Sequence, residues 1–287
     1  MALFYAWLAS ISSGLSPIII KASSKDLVKN PWAFNLLWVL IGIPFIVVFA
    51  LLRGAGMPAD WLPILLLALS LTGFYVFYTV SLYKIDVSTM SPLFSLRTVF
   101  SVILGVWLLN EYLSPGDIVL ISIIIALSPL AAYDDKMRYK AFFQKPILLA
   151  VLAMFFLAFE GYFANRSAEV NGYSTTLLWQ DILVLIFLLP TIKYASIGRG
   201  YFTKKKLLPF VLLGISGFIY TATSIAAYAQ NLALSAVIIS LPLSMIFAVL
   251  LSIKYGDLLE RNSVKVYAVR FSAAGVMVAS AIFLSLK

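Results

Sequence analysis

The sequence predicts an all-α membrane protein: ten transmembrane helices arranged as two inverted five-helix repeats. Three observations carry that expectation. Hydrophobic residues make up 62% of the 287 and charged residues only 11%. Soluble domains run at about 45–50% and about 25%, and a soluble fold of this size has too little interior to hide so much apolar surface. Ten apolar runs recur along the chain, each near the length of about 20 residues that crosses a bilayer as a helix. The two halves also resemble each other at a constant offset.

Polar clusters, Pro and Gly punctuate the runs. The first half holds spans at 2–21, 31–52, 62–83, 87–109 and 116–133. The second holds 146–166, 173–192, 207–229, 233–254 and 263–286. The expected division is a first repeat over 1–133, a basic connection over 134–145 and a second repeat over 146–287, with a further basic stretch at 193–206. The runs are too long and continuous for the alternating strands of a β-barrel. The first run lacks a basic leader and carries Ser10, Ser12, Ser13, Gly14 and Pro17 in its body, so it reads as a helix and not as a signal peptide.

Lys and Arg set the orientation. The connections after spans 1, 3, 5, 7 and 9 hold sixteen of the 21 basic residues, and the opposite side holds Arg53, Arg166 and Lys287. That bias predicts a multi-pass protein of the plasma membrane with both termini outside the cytoplasm. It also accounts for the net charge of +9, because basic residues near anionic headgroups gain about 1 kcal/mol each. Membrane lipids are therefore expected partners and nucleic acid is not. With no His and no Cys, imidazole bases, thiolate nucleophiles and the common zinc, haem and iron–sulfur ligand sets are missing. No phosphate-cradling glycine loop occurs either. Neither an enzyme nor a cofactor is expected.

The halves match at an offset of about 145 residues. Leu69-Ser70-Leu71-Thr72-Gly73-Phe74 answers to Leu213-Gly214-Ile215-Ser216-Gly217-Phe218, Ser95-Leu96 precedes Arg97 as Ser240-Leu241 precedes Pro242, and Lys21 closes span 1 where Arg166 closes span 6. Five spans per repeat is odd, so the repeats must cross the bilayer in opposite senses. Inverted repeats are a transporter architecture with the site near the midplane.

The turn Asn110-Glu111-Tyr112-Leu113-Ser114 resembles the Gly-Glu-x-Leu-Ser turn of EamA-type members of the drug/metabolite transporter superfamily, and Tyr255-Gly256-Asp257-Leu258-Leu259 is a weaker version. Trp7, Gly14 and Lys21 are similar to that family's first-helix signature, and Pro242 to its ninth-helix proline. The resemblance implies the five-plus-five fold and export of amino acids or related metabolites. Three features depart from the pattern. Arg97 stands where the fourth helix usually has a proline, Trp38 lies near where the second often carries arginine, and the charge bias puts the termini outside instead of inside.

Four charges lie within spans: Arg97, Glu160, Asp181 and Arg270. A charge at bilayer depth costs at least about 2.5–3.5 kcal/mol on insertion scales, so each is expected to face the bundle interior. An Arg fork suits a carboxylate, while a carboxylate suits an ammonium or a transported proton. Arg97 with Asp181 or Glu160 is thus a candidate clamp for a zwitterion; the alternative is that the charges pair to hold helices together. Arg270 reads as structural, snorkelling towards the basic side, and Glu111 as a cap or helix tie.

Gly217, Thr221, Ser224 and Tyr228 share one face of span 8, Ser10, Gly14, Pro17 and Lys21 one face of span 1, and Ser91, Ser95, Thr98 and Gly105 one face of span 4. Small residues at this spacing mostly let helices approach closely; Tyr228 and Lys21 read as interfacial. Mid-span Tyr75, Phe77, Tyr78, Phe159, Tyr162 and Tyr220 are candidates to line a cavity or to pack, and Pro92, Pro190 and Pro242 loosen the backbone ladder. The substrate-binding set is therefore Arg97, Asp181, Glu160, Tyr78, Tyr220 and Ser224. The expected function is secondary transport, in the export direction, of a small polar or zwitterionic metabolite such as an amino acid. A lipid scramblase or a non-transporting scaffold is the alternative, in which Arg97 and Asp181 close on each other with no cavity beside them.

Overall fold

Hydrocarbon offers a peptide group no water to bond, so long apolar runs satisfy their N–H and C=O groups internally as helices. The computed structural model describes residues 1–26, 28, 30–84, 93–131, 145–195, 204–244, 246–247 and 264–286. Ten α-helices occur among them: α1 (Ala2–Asp26), α2 (Pro31–Leu52), α3 (Trp61–Leu82), α4 (Phe94–Leu108), α5 (Pro115–Ala131), α6 (Lys145–Asn171), α7 (Tyr173–Leu188), α8 (Lys204–Tyr228), α9 (Leu232–Ile239) and α10 (Val264–Ser285). Each falls on one of the ten predicted spans. By length and composition seven can cross a membrane, namely those of α1, α2, α3, α6, α7, α8 and α10. The apolar parts of α4 and α5, Leu96–Leu108 and Pro115–Ser128, are shorter, and most of span 9 beyond Ile239 lies outside the described residues. So do the basic connection at 134–144, Pro92, the Tyr255–Leu259 motif and the side chains of Lys21, Ser91 and Ser95.

Local chemistry starts and stops these helices. Asn30 caps α2 by accepting from Trp32 N and Ala33 N at 2.9 and 3.2 Å, with Pro31 in the first turn. Asp60 accepts from Leu62 N at the start of α3. Ser114 and Asp117 bond each other reciprocally around Pro115, which begins α5. Helix α6 runs five residues past the predicted end at 166, to Asn171, and Gly172 turns the chain at φ 77 into α7.

The bundle is assembled by contacts between halves. Helix α3 packs on α6 and α7, α2 on α7 and α8, α1 on α8 and α9, α4 on α6 and α9, and α5 on α10. Small residues make the closest approaches. A Cβ at Gly214 would lie 3.3 Å from both Gly42 Cα and the Ile41 carbonyl, so α2 and α8 touch backbone to backbone. Gly14 on α1 fits under Leu243 and Phe247. Among the described residues the packing reading of the small-residue stripes holds for Gly14 and Gly105, and Gly214, outside those stripes, packs in the same way.

The turn after α4 ties the bundle at one end. Asn110 adopts φ 53, a left-handed conformation Asn tolerates, and the Glu111 N–H reaches back to the Gly105 carbonyl at 3.1 Å. That turn throws the Glu111 carboxylate onto the first turn of α9, where it accepts from Leu232 N and, at 2.8 Å, from Ala233 N. A charged acceptor on the free N–H groups of a helix start is favourable in itself and through the helix dipole. Gly105 leaves room for it, since a Cβ there would lie 2.5 Å from Glu111 Oε2. Glu111→Ala is expected to destabilise the protein by about 1–2 kcal/mol, read as a lower melting temperature in detergent; an unchanged melt would show that the cap carries no stability.

Candidate functional site

Arg97 points from α4 into the centre of the bundle and is 2% exposed. Three side chains from two other helices receive it. Its Nη2 donates to the hydroxyls of Tyr220, at 3.2 Å, and of Tyr228, both on α8, and the guanidinium also lies over the Tyr228 ring with its carbon 5.8 Å from the centroid. Glu160 on α6 is the counter-ion, its Oε2 3.8 Å from Arg97 Nη2. That separation is an ion pair without a hydrogen bond: among the described residues Glu160 Oε2 and Arg97 Nε have no hydrogen-bond partner. The two phenols supply the directional contacts and the carboxylate supplies the charge.

Beside this cluster lies a cavity of about 1020 Å³, measured with the space at its mouth. Ser13, Ser16 and Pro17 of α1, Trp38 of α2, Tyr75 and Tyr78 of α3, Arg97, Ser128 of α5, Gly217 and Tyr220 of α8, and Met277 of α10 line it. So do Ile239 to Pro242, where helix α9 breaks. Pro242 has no N–H, the Leu243 N–H bonds the Leu241 carbonyl at 2.8 Å, and buried Ser240 Oγ has no partner. Most lining residues of α1, α3 and α5 come from the middle or last halves of those helices, those of α2 and α4 from the first halves, and those of α8 and α10 from just past the middle. The cavity therefore occupies the middle of the bundle and the half that leads to the basic connections. Towards the other end, Arg97 and the tyrosines of α8 close it.

The predicted set divides in three. Arg97, Glu160 and Tyr220 come together, and Tyr78 lines the same cavity. Ser224 is fully buried but donates to the Thr221 carbonyl of its own helix, away from the cavity. Asp181 is buried on α7, where its Oδ2 lies 3.5 Å from Gln180 Nε2, and it neither lines the cavity nor meets Arg97. Its charged neighbour within electrostatic range is Glu160. Arg97 is accordingly paired with Glu160 and not with Asp181.

Two further expectations are corrected. Tyr228 is not interfacial: it is fully buried and holds Arg97. It stands on the same face as Gly217, Thr221 and Ser224, which was the available signal, but its place at the end of span 8 masked it. Arg270 is 6% exposed and so does not snorkel to the surface. Of the other mid-span aromatics, Tyr75 reaches the cavity, while Phe77 stacks on Phe156 and Phe159 packs on Phe155 and Phe163.

A ten-helix bundle with a buried cation in the wall of a central cavity defines a multi-pass membrane protein. Residues 1–128 of the chain match the model of the EamA-like transporter family, part of the drug/metabolite transporter superfamily. A crystal structure of a protein 17% identical in sequence aligns over 100% of this chain and 98% of its own, with a TM-score of 0.73, and so shares the fold. None of the curated proteins matches the chain in sequence.

Removing the Tyr228 hydroxyl leaves a buried guanidinium with one acceptor fewer. Tyr228→Phe is expected to cost about 1.5–3 kcal/mol, the range for a hydrogen bond to a charged group, and thermal melting of the purified variant measures it. A wild-type melting temperature would mean that Tyr228 does not hold Arg97.

Proposed function

We propose that this chain is a secondary active transporter that exports a small polar or zwitterionic metabolite, such as an amino acid, by alternating access around the midplane cavity. The carrying observation is the cavity with Arg97 in its wall. A guanidinium in a low-dielectric chamber is a strong, oriented receptor for a carboxylate. Around it stand hydroxyls of Ser13, Ser16 and Ser240 and the rings of Trp38, Tyr75 and Tyr78, which suit polar groups and the cationic or apolar remainder of such a molecule. The scaffold alternative calls for Arg97 and Asp181 closed on each other in a dry interior, and the cavity speaks against it.

The contact map supports the inverted repeat on which alternating access depends. Replacing each helix by the one five places along exchanges α3–α6 with α1–α8, α2–α8 with α3–α7, and α4–α6 with α1–α9, and leaves α2–α7, α4–α9 and α5–α10 unchanged. Two packing arrangements related in this way can interconvert by rocking one unit against the other. With the basic connections in the cytoplasm, the cavity faces the side from which an exporter loads.

Arg97 is best removed together with Glu160, because a lone buried charge destabilises whatever it does for transport. Proteoliposomes carrying wild type are expected to take up at least one member of a panel of radiolabelled amino acids. Arg97→Met with Glu160→Gln is expected to reduce that uptake more than about tenfold, or about 1.4 kcal/mol, while melting near wild type; retained uptake would remove Arg97 from the site. For orientation, a cysteine in place of Lys205 is expected to react with a membrane-impermeant maleimide only after the cytoplasmic side is opened. Labelling of intact cells would reverse the assigned topology.

A further inference from the structure

We infer that Asp181 and Gln180 form a binding site for one monovalent cation, a proton or Na⁺, separate from the place where the metabolite sits. The first ground is charge. In the interior of the bundle lie the guanidinium of Arg97 and two buried carboxylates, Glu160 and Asp181; the other buried guanidinium among the described residues, Arg270, is on α10, which packs on α5. Glu160 has Arg97 at 3.8 Å. Asp181 is 6% exposed, and its partners are the Gln180 amide, at a long 3.5 Å, and the field of another carboxylate. An ionised carboxylate in that position is desolvated, uncompensated and repelled, an arrangement that a low-dielectric interior does not sustain without a cation.

The second ground is geometric. Gln180 is fully buried next to Asp181, and its Oε1 has no hydrogen-bond partner. A carboxylate and an amide oxygen are hard ligands suited to Na⁺. Alternatively, a proton bound to the Asp181 carboxylate forms an O–H that can donate to Gln180 Oε1 once the amide turns over, since Nε2 is the atom that now lies 3.5 Å from Asp181 Oδ2. Either cation brings the cluster to neutrality.

Among the described residues, the carboxylate that can compete for the cation is Glu160, which Arg97 holds at 3.8 Å. Helix α6 brings Glu160, α3 brings the phenol of Tyr75, and α8 brings those of Tyr220 and Tyr228, already engaged with Arg97. Between Pro31 and Leu52, α2 carries no ionisable side chain. Arg53, whose carbonyl accepts from Ser174 at the first turn of α7, stands about 10 Å along the helix from Asp181. Since Asp181 does not line the cavity, the cation and the metabolite occupy different places, coupled through Glu160 and Arg97. That coupling rests on the transporter reading; the site itself does not.

The test uses the full-length protein in nanodiscs and reads the cation without transport. Infrared titration should show a protonated-carboxyl C=O band that grows on acidification and is lost in Asp181→Asn but kept in Glu160→Gln. If Na⁺ is the ligand, replacing choline by Na⁺ at constant ionic strength should raise the melting temperature and diminish that band, and Gln180→Leu should abolish the Na⁺ response while leaving the band. Na⁺ without effect, with the band present, assigns the proton. A band unchanged in Asp181→Asn, or no band and no Na⁺ response in wild type, overturns the site, and Gln180→Leu provides the same reading of Na⁺ should Asp181→Asn fail to fold. A negative result here leaves the role of the cavity standing, because no substrate is used.

Discussion

The structure depends on how one guanidinium is kept in the interior of a membrane bundle. Arg97 cannot shed its charge and cannot reach water, so the bundle brings partners to it. Tyr220 and Tyr228 from α8 accept its hydrogen bonds, and Glu160 from α6 balances its charge. Those partners come from the second half of the chain and Arg97 from the first. The ion pair therefore specifies how the halves meet. The packing is consistent with that: α4 lies on α6 and α9, and α8 touches α1 and α2. Arg97 also lines the cavity, so the charge that joins the halves stands in the chamber's wall.

The ends of the bundle are not equivalent. On the side where α4 ends and α9 begins, several ties converge: Glu111 caps α9, Asn165 donates to the Tyr228 carbonyl at 2.6 Å, and Arg166 reaches the Leu108 carbonyl at 3.3 Å. These bonds join α4, α6, α8 and α9 just beyond Arg97. On the other side the cavity is lined by Ser16, Pro17 and Ile20 of α1, Trp38 of α2, Tyr78 of α3 and Phe94 of α4. Polar ties close one end, and a chamber lined by hydroxyls and aromatic rings occupies the other.

The helices were legible in the sequence because the bilayer imposes a length on every apolar run, and polar clusters, Pro and Gly punctuate the runs. Glu111 was legible as a tie because its turn motif is local. Arg97 and Glu160 stood out for a different reason: in an apolar span a charge has no cheap explanation. The partnership between them was not legible, since Arg97 could equally have met Asp181. The choice depends on where α4 crosses α6 relative to α7, a packing outcome that no spacing along one helix encodes. Tyr228 failed for the opposite reason. A tyrosine at the end of a span is usually an interfacial anchor, and only the tertiary packing brings the Arg97 guanidinium to it.

The paired positions Arg97 and Pro242, one in each half at the repeat offset, both line the cavity and do opposite things. Arg97 contributes a full charge on an intact helix. Pro242 interrupts α9, so that backbone and the unpartnered Ser240 hydroxyl reach the same chamber. On the two-repeat reading, a symmetric scaffold supplies two arrangements of comparable energy, which alternating access requires. A symmetric site would hold a ligand equally well in either of two poses. Placing charge on one repeat and loosened backbone on the other gives the chamber a single polarity, with an anion receptor at its closed end and neutral hydroxyls opposite. The scaffold can then keep its symmetry while the ligand's orientation does not.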